Sequence, residues 1–202
     1  RWLRENRDAL EKLSDFIISD GLLGVEDIPN TDYDHPYFGR SLKRVSLAKL
    51  KTIGRNAFRQ CSGLLSADCP AVIAVEFSAF NRCSSLVSVS LPLAESVGQS
   101  AFNSCTSLTS VNLPAVESIW QEAFHKCTSL WNLLFPGAGV PSVGYNVFWG
   151  CPSDRWLVLM DAGGNRLTGG ALTDAINRYR KAEDGNTSDN LWEGWQLIDG
   201  LF

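Results

Sequence analysis

The chain carries only two histidines, His35 and His125, and one methionine, Met160. No apolar run approaches the ~18 residues of a membrane-spanning helix, so no membrane span is expected. Two histidines leave little for acid–base chemistry, which needs a nucleophile or general base held beside an orienting partner. Positive charge is also scarce. Lysine and arginine number 18 against 22 acidic residues, a formal net charge of -4. Nucleic-acid binding rests on many phosphate contacts, and this balance argues against it. The chain neither starts with methionine nor shows a signal-peptide pattern, and it reads as a processed or trimmed piece, compatible with a removed export signal.

What the chain does have is a repeat. Ala57-Phe58 returns as Ala79-Phe80, Ala101-Phe102 and Ala123-Phe124 at steps of 22 residues, and as Val147-Phe148 after 24. Each of these phenylalanines is followed three residues later by a cysteine: Cys61, Cys83, Cys105, Cys127 and Cys151. A leucine comes three residues after the first four, at Leu64, Leu86, Leu108 and Leu130. Such a period is too short for two helices per unit and fits one strand plus a tight return. Within a unit such as Leu108, Val111, Leu113 and Pro114, the apolar spacing places Val111 and Leu113 on one side of a short strand, and proline ends it. Stacked units give a parallel sheet on one side and turns with short non-α pieces on the other. No unit can bury its apolar face alone, so neighbours must cover it.

Six cysteines could signal a disulfide framework. Five of them occupy one repeat slot, however, and the sixth, Cys69, replaces the inward leucine seen at Leu91 and Leu113. Free cysteine behaves as a small buried hydrophobe, so a column of reduced, stacked thiols is expected beside the column Phe58, Phe80, Phe102, Phe124 and Phe148. A serine in place of Cys105 is expected to lack a hydrogen-bond partner.

The pattern Ala-Phe-x-x-Cys-(Thr/Ser)-Ser-Leu-x-x-Val-x-Leu-Pro resembles the BspA-like leucine-rich repeats, found on surface and secreted proteins of anaerobic bacteria of mouth and gut and in some parasitic protists. The resemblance covers residues 42–159. The slot that holds asparagine or cysteine in common leucine-rich repeats carries Leu50, Val72, Ala94 and Val116, so no asparagine ladder is expected. The fold expected is a right-handed leucine-rich-repeat solenoid forming one continuous domain. A helical N-terminal cap spans 1–41, the array spans 42–160, and a helix-plus-strand C-terminal cap spans 161–202. The resemblance implies a cell-surface or extracellular module for non-catalytic protein recognition or adhesion, whose partner is a host or neighbouring-cell protein. The alternatives are glycan binding in a nutrient-capture system, or a passive spacer.

The caps are read from residue spacing. Leu3, Leu10, Leu13, Phe16 and Ile17 predict one face of a helix over 1–20, and 21–41 reads as a loop. Arg155–Met160 reads as the last strand, Ala162–Gly170 as a glycine-rich turn, and Leu172, Ile176 and Tyr179 as a helix face. Trp192, Trp195, Leu197 and Ile198 are expected to close the array.

Enzymatic candidates are weak. His125 shares a varied column with Arg59, Asn81, Asn103 and Trp149, which is expected to face solvent. Glu95 and Glu117 sit on adjacent coils and read as a solvated pair; Asp32, Asp34 and His35 match no ligand frame. No catalytic, metal or cofactor site is expected. Asn186-Thr187-Ser188 matches the glycosylation acceptor pattern, which is uninformative for a bacterial source.

The sheet face is the candidate binding surface. Its outward rows are Arg44, Ser66, Ser88, Ser110, Asn132 and Ser46, Asp68, Ser90, Asn112, Leu134. Such hydroxyls and amides bond a partner's backbone or a glycan, and are equally what a solvated face carries. Lys43, Arg44, Lys49, Lys51, Arg55 and Arg59 form a basic cluster without an acid among them. It could dock an acidic partner, though pairing with Glu26, Asp27, Asp32 and Asp34 is the favoured reading. Leu134 and Trp131 break the polar rows and predict an apolar patch, covered by Trp192 and Trp195 or by a partner.

Overall fold

The computed structural model describes residues 5–10, 15–18, 27–28, 38–136, 139, 141–152, 155–161, 165–171, 174–175 and 195–197. Each repeat alternates a longer strand with a two-residue one. The longer strands are β1 (Asp15–Ile18), β3 (Arg44–Leu47), β5 (Ser66–Asp68), β7 (Ser88–Ser90), β9 (Ser110–Asn112), β11 (Asn132–Pro136), β13 (Arg155–Met160) and β14 (Trp195–Leu197). They form one eight-stranded sheet in that order, and every pairing is parallel. The short strands are β2 (Asp27–Ile28), β4 (Thr52–Ile53), β6 (Ala74–Val75), β8 (Ser96–Val97), β10 (Ser118–Ile119) and β12 (Ser142–Val143). They form a second parallel sheet, so the short non-α pieces expected opposite the wide sheet are the rungs of a narrow ladder.

Proline sets the change of direction. Pro70, Pro92 and Pro114 each follow a wide-sheet strand by two residues, and Pro136 ends β11. A turn then brings the next apolar residue inward, as Val116 N–H donates to the Leu113 carbonyl at 3.3 Å. The return past the narrow strand carries Ala-Phe between two residues of left-handed backbone. Ser78 and Arg82, Ser100 and Ser104, Glu122 and Lys126 are such pairs, and Gly150 takes the second position in the fifth. Side chains there cost backbone energy. Lateral bonds between coils hold the turn nonetheless: Phe102 N–H donates to the Ala123 carbonyl at 2.7 Å, and Phe80 N–H to that of Ala101 at 2.8 Å.

The core is built of columns. Phe38, Phe58, Phe80, Phe102, Phe124 and Phe148 stack nearly parallel, with ring centroids 4.9–5.7 Å apart. Leu50, Val72, Ala94 and Val116 are buried in the slot that lacks asparagine. Burying a valine, leucine or phenylalanine side chain stabilises by about 1.5–3 kcal/mol, and the repeat multiplies that across coils.

The N-terminal region departs from expectation. Of the described residues before Phe38, Glu5 and α1, Arg7–Leu10, are helical and Asp15–Ile18 is a strand. Phe16 and Ile17 therefore belong to β1, paired with Val45 and Ser46, and not to a helix face. The reason is tertiary: the first repeat coil otherwise leaves β3 as an unpaired edge. Leu3 and Leu13 lie outside the described residues. The stretch expected as loop contributes β2 and the first ring of the phenylalanine stack, Phe38, so the repeat begins before Leu42. At the other end β13 is the expected strand and β14 continues the sheet. Residues 169–171 and 174–175 are helical, and Gly169, with a φ of 56°, turns the chain into that helix. Leu172, Ile176, Tyr179, Trp192 and Ile198 lie outside the described residues.

Candidate functional site

Parallel pairing without slippage turns the repeat slots into straight rows on the wide sheet. Arg44, Ser66, Ser88, Ser110 and Asn132 are consecutive register partners, and so are Ser46, Asp68, Ser90, Asn112 and Leu134. Alternation puts Val45, Ala67, Val89, Val111 and Leu133 in the core between them. Lys43, Arg44, Asp68 and Ser88 are exposed, and Ser46, Ser66, Ser90, Ser110, Asn112, Asn132 and Leu134 are half-buried.

A third row borders these two. Lys43, Leu65, Val87, Thr109 and Trp131 follow one another coil by coil, each backbone N–H donating to the carbonyl of the residue before it at 2.7–3.0 Å. Leu65, Val87 and Trp131 are 46%, 44% and 43% exposed. Leu65 and Val87 are adjacent apolar residues beside Ser66 and Ser88, and Thr109 separates them from Trp131 beside Asn132. Sequence reasoning singled out Trp131 alone; reading the same slot in every coil would have found the other two.

The face changes at its ends. Asp15 is the register partner of Arg44, which places an acid at the basic end of the row. Asp27 lies on β2 beside Thr52, while Glu26, Asp32, Asp34 and His35 fall outside the described residues. At the C-terminal end Val158 and Met160 continue the outward positions of Leu134 and Pro136, yet both are buried. The segment after β13 folds back there. Arg166 bridges antiparallel to Met160, Leu167 N–H donates to the Leu159 carbonyl at 2.9 Å, and Ala175 joins the core. The side chains of Trp192 and Trp195 lie outside the described residues.

The cysteine slot is a second ordered column. All six cysteines are free; Cys151 is half-buried and the others are buried. Each repeat thiol donates to the phenylalanine carbonyl of the preceding coil. Cys61 Sγ reaches Phe38 O at 3.3 Å, Cys83 reaches Phe58 O at 3.0 Å, and Cys105, Cys127 and Cys151 reach Phe80, Phe102 and Phe124 O at 3.1 Å. Those carbonyls also accept a backbone bond, Cys61 N–H to Phe58 O at 3.1 Å for example, so both lone pairs are used. The expectation that a hydroxyl at Cys105 lacks a partner is thereby corrected: Phe80 O is in place. Burial pushes the thiols of Cys61, Cys69, Cys83, Cys105 and Cys127 far above the usual range, which disfavours their thiolates.

The column of His125 is solvent-facing only in part: Trp149 is 58% exposed, and Asn81, Asn103 and His125 are half-buried. Arg59 is only 2% exposed. Further along, Asn103 Nδ2 lies 3.3 Å from His125 Nδ1, and the His125 ring stacks on Trp149 at 4.9 Å. Burial lowers the His125 pKa; Glu122 opposes this and Lys126 adds to it. Glu95 and Glu117 are exposed neighbours on adjacent coils, Glu117 N–H donating to the Glu95 carbonyl at 2.8 Å. Among the described residues no three His, Cys, Asp or Glu side chains are placed to hold a metal, and no helix is long and apolar enough to cross a membrane.

Stacked parallel coils with leucine at the strand entry define a leucine-rich-repeat solenoid. The family model described as BspA type leucine rich repeat region, in six copies, matches residues 34–154, and the chain belongs to that family. Among solved structures the chain is similar to the T. pallidum leucine rich repeat protein, with 28% identity and a TM-score of 0.59 over 69% of this chain and 77% of that one. It is similar also to a leucine-rich repeat protein from Bacteroides ovatus, with 28% identity and a TM-score of 0.61 over 95% of this chain and 44% of that one. A leucine rich cell surface protein from Faecalibacterium prausnitzii shares the fold at 24% identity, with a TM-score of 0.50 over 75% of this chain and 48% of that one. The chain thus spans less than half the length of the latter two. No curated protein matches it.

Proposed function

We propose that the chain is a non-catalytic protein-recognition or adhesion module of a bacterial cell-surface or secreted protein, and that it binds through the wide sheet. The observation that carries this reading is the exposed apolar set Leu65, Val87 and Trp131, with Thr109 between the last two, in the row that borders Ser66, Ser88, Ser110 and Asn132. An exposed apolar stripe rimmed by polar groups is the composition of a contact surface, and an aromatic at one end supplies an anchor. Solenoids present such surfaces to large partners. The surface placement is supported by family membership and by the description of the F. prausnitzii relative. The buried, hydrogen-bonded thiols favour a structural role for the cysteines over a nucleophilic one.

The test is a face-specific variant. Leu65→Ser, Val87→Ser and Trp131→Ser combined should leave the fold intact, because all three side chains are substantially exposed. Binding of the purified chain to a panel of extracellular-matrix proteins and to epithelial and bacterial cells should fall at least about tenfold. Binding that survives the triple substitution would move the interface to another surface, and a chain that binds nothing in the panel would favour the spacer role.

A further inference from the structure

The other side of the solenoid holds a cleft of about 500 Å³, beside the narrow sheet between β6 and β8. It arises from one repeat slot. Successive coils place Gly54, Glu76, Gly98, Trp120 and Gly144 there, so a residue with a large side chain alternates with glycine. Gly98 lies at the floor. A Cβ on it would come within 2.7 Å of the Glu76 carbonyl carbon and 2.9 Å of the Phe77 nitrogen, so close approach of the coils requires glycine here. With no side chain between them, Glu76 and Trp120 stand two coil steps apart, about 10 Å by the spacing of the phenylalanine stack. Trp120 is 61% exposed, the most exposed large apolar side chain among the described residues. Phe77 and Gln99 flank the floor, and the Arg55 guanidinium lies 5.1 Å above the Phe77 ring.

We propose that this cleft is a binding subsite for a neutral pyranose ring. One wall is an indole, which suits the apolar C–H face of a sugar at ordinary contact distance, about 4 Å. The opposite wall and side offer a carboxylate, an amide and a guanidinium. Together they supply acceptors and donors for hydroxyls around the edge of a ring, and two of them can bond bidentately. The volume is that of a small-ligand site with a few convergent polar groups. Charge selects against other ligands. Arg55 and Glu76 carry opposite charges, so the cleft as a whole is neutral. A lysine side chain entering between Trp120 and Glu76 would gain the carboxylate but meet Arg55, and an anion would meet Glu76. The subsite lies on the narrow-sheet side and does not depend on the wide face, so either can fail alone.

The test uses the full chain. Methyl pyranosides of glucose, galactose, mannose and N-acetylglucosamine, with short neutral oligosaccharides, are titrated in and read by saturation-transfer difference NMR and tryptophan fluorescence. At least one should bind, a single ring at about millimolar strength. Trp120→Ala should weaken it about tenfold and Glu76→Gln several-fold. Trp149→Ala, which removes a 58% exposed tryptophan outside the cleft, should leave it unchanged. Circular dichroism checks that each variant is folded, and Gln99→Ala serves as second cleft variant if Trp120→Ala is not. The proposal is overturned if no neutral saccharide binds well above millimolar concentration, if folded cleft variants bind as tightly as the parent, or if a lysine-rich peptide binds and the saccharides do not.

Discussion

Truncating Phe102 tests the phenylalanine column where it is most constrained. Phe102 is fully buried and stacks on two neighbours, Phe80 at 5.1 Å and Phe124 at 5.3 Å. Phe102→Ala removes both stacks and opens a cavity that the coils cannot close, because backbone bonds on either side fix their spacing. Such truncations cost about 3–5 kcal/mol, and two lost ring pairs, at about 0.5–1.5 kcal/mol each, place this one in the upper half. Phe148 gives the internal control. It stacks on Phe124 at a longer 5.7 Å and retains slight exposure. Phe148→Ala should cost about 2–3 kcal/mol, and Phe102→Leu, which keeps volume but not the rings, about 1–3 kcal/mol. Urea unfolding followed by circular dichroism gives the three values from the midpoints and slopes. In a linear array a weakened middle coil can also uncouple its two halves, seen as a broadened or biphasic transition. A loss below about 1 kcal/mol for Phe102→Ala would refute the reasoning, since it would mean that the column is not what holds successive coils together.

Cys105→Ser should cost only about 1 kcal/mol by urea midpoint, because Phe80 O is available but a shorter C–O bond lengthens the 3.1 Å contact; a loss of 3 kcal/mol or more would mean the hydroxyl is stranded. With its pKa lowered mainly by burial, His125 binds fewer protons in the folded chain than in the unfolded one, so stability should fall as pH drops through about 6.5 toward the lower folded value and then level off. Melting temperature against pH should show this slope flattened in His125→Gln, and an unchanged slope would exclude His125 as its source.

The parts of the fold legible in the sequence are those in which one residue type recurs in one slot. Phenylalanine at 58, 80, 102, 124 and 148 stacks because only a flat ring fills that space at a step near 5 Å, and a fixed solution leaves a fixed letter. The first coil escaped because it breaks the letters while keeping the geometry. Phe38 and Leu42 are four residues apart where Phe58 and Leu64 are six apart, and Ser41 replaces cysteine. Upstream, apolar spacing through Leu10, Leu13 and Phe16 imitates a helix, whereas the run Phe16-Ile17-Ile18 is a strand that pairs with β3.

Variation was the misleading signal at the surface. Different residues in one slot read as solvent exposure, and for the slot of Arg59, Asn81, Asn103, His125 and Trp149 that inference failed at Arg59. Adjacent coils are close enough for unlike side chains to satisfy one another, as Asn103, His125 and Trp149 do by hydrogen bond and stack. The slot of Gly54, Glu76, Gly98, Trp120 and Gly144 shows the opposite use of variation: alternating glycine leaves space, and the space is the cleft. In a chain whose backbone repeats nearly without change, the positions that differ between coils are where a particular ligand can be distinguished from any other. Of the outward-facing rows of the wide sheet, the serine row varies least and the bordering row most, from Lys43 through Leu65, Val87 and Thr109 to Trp131. That bordering row and the Gly98 cleft are therefore where substitutions should change binding without changing the fold.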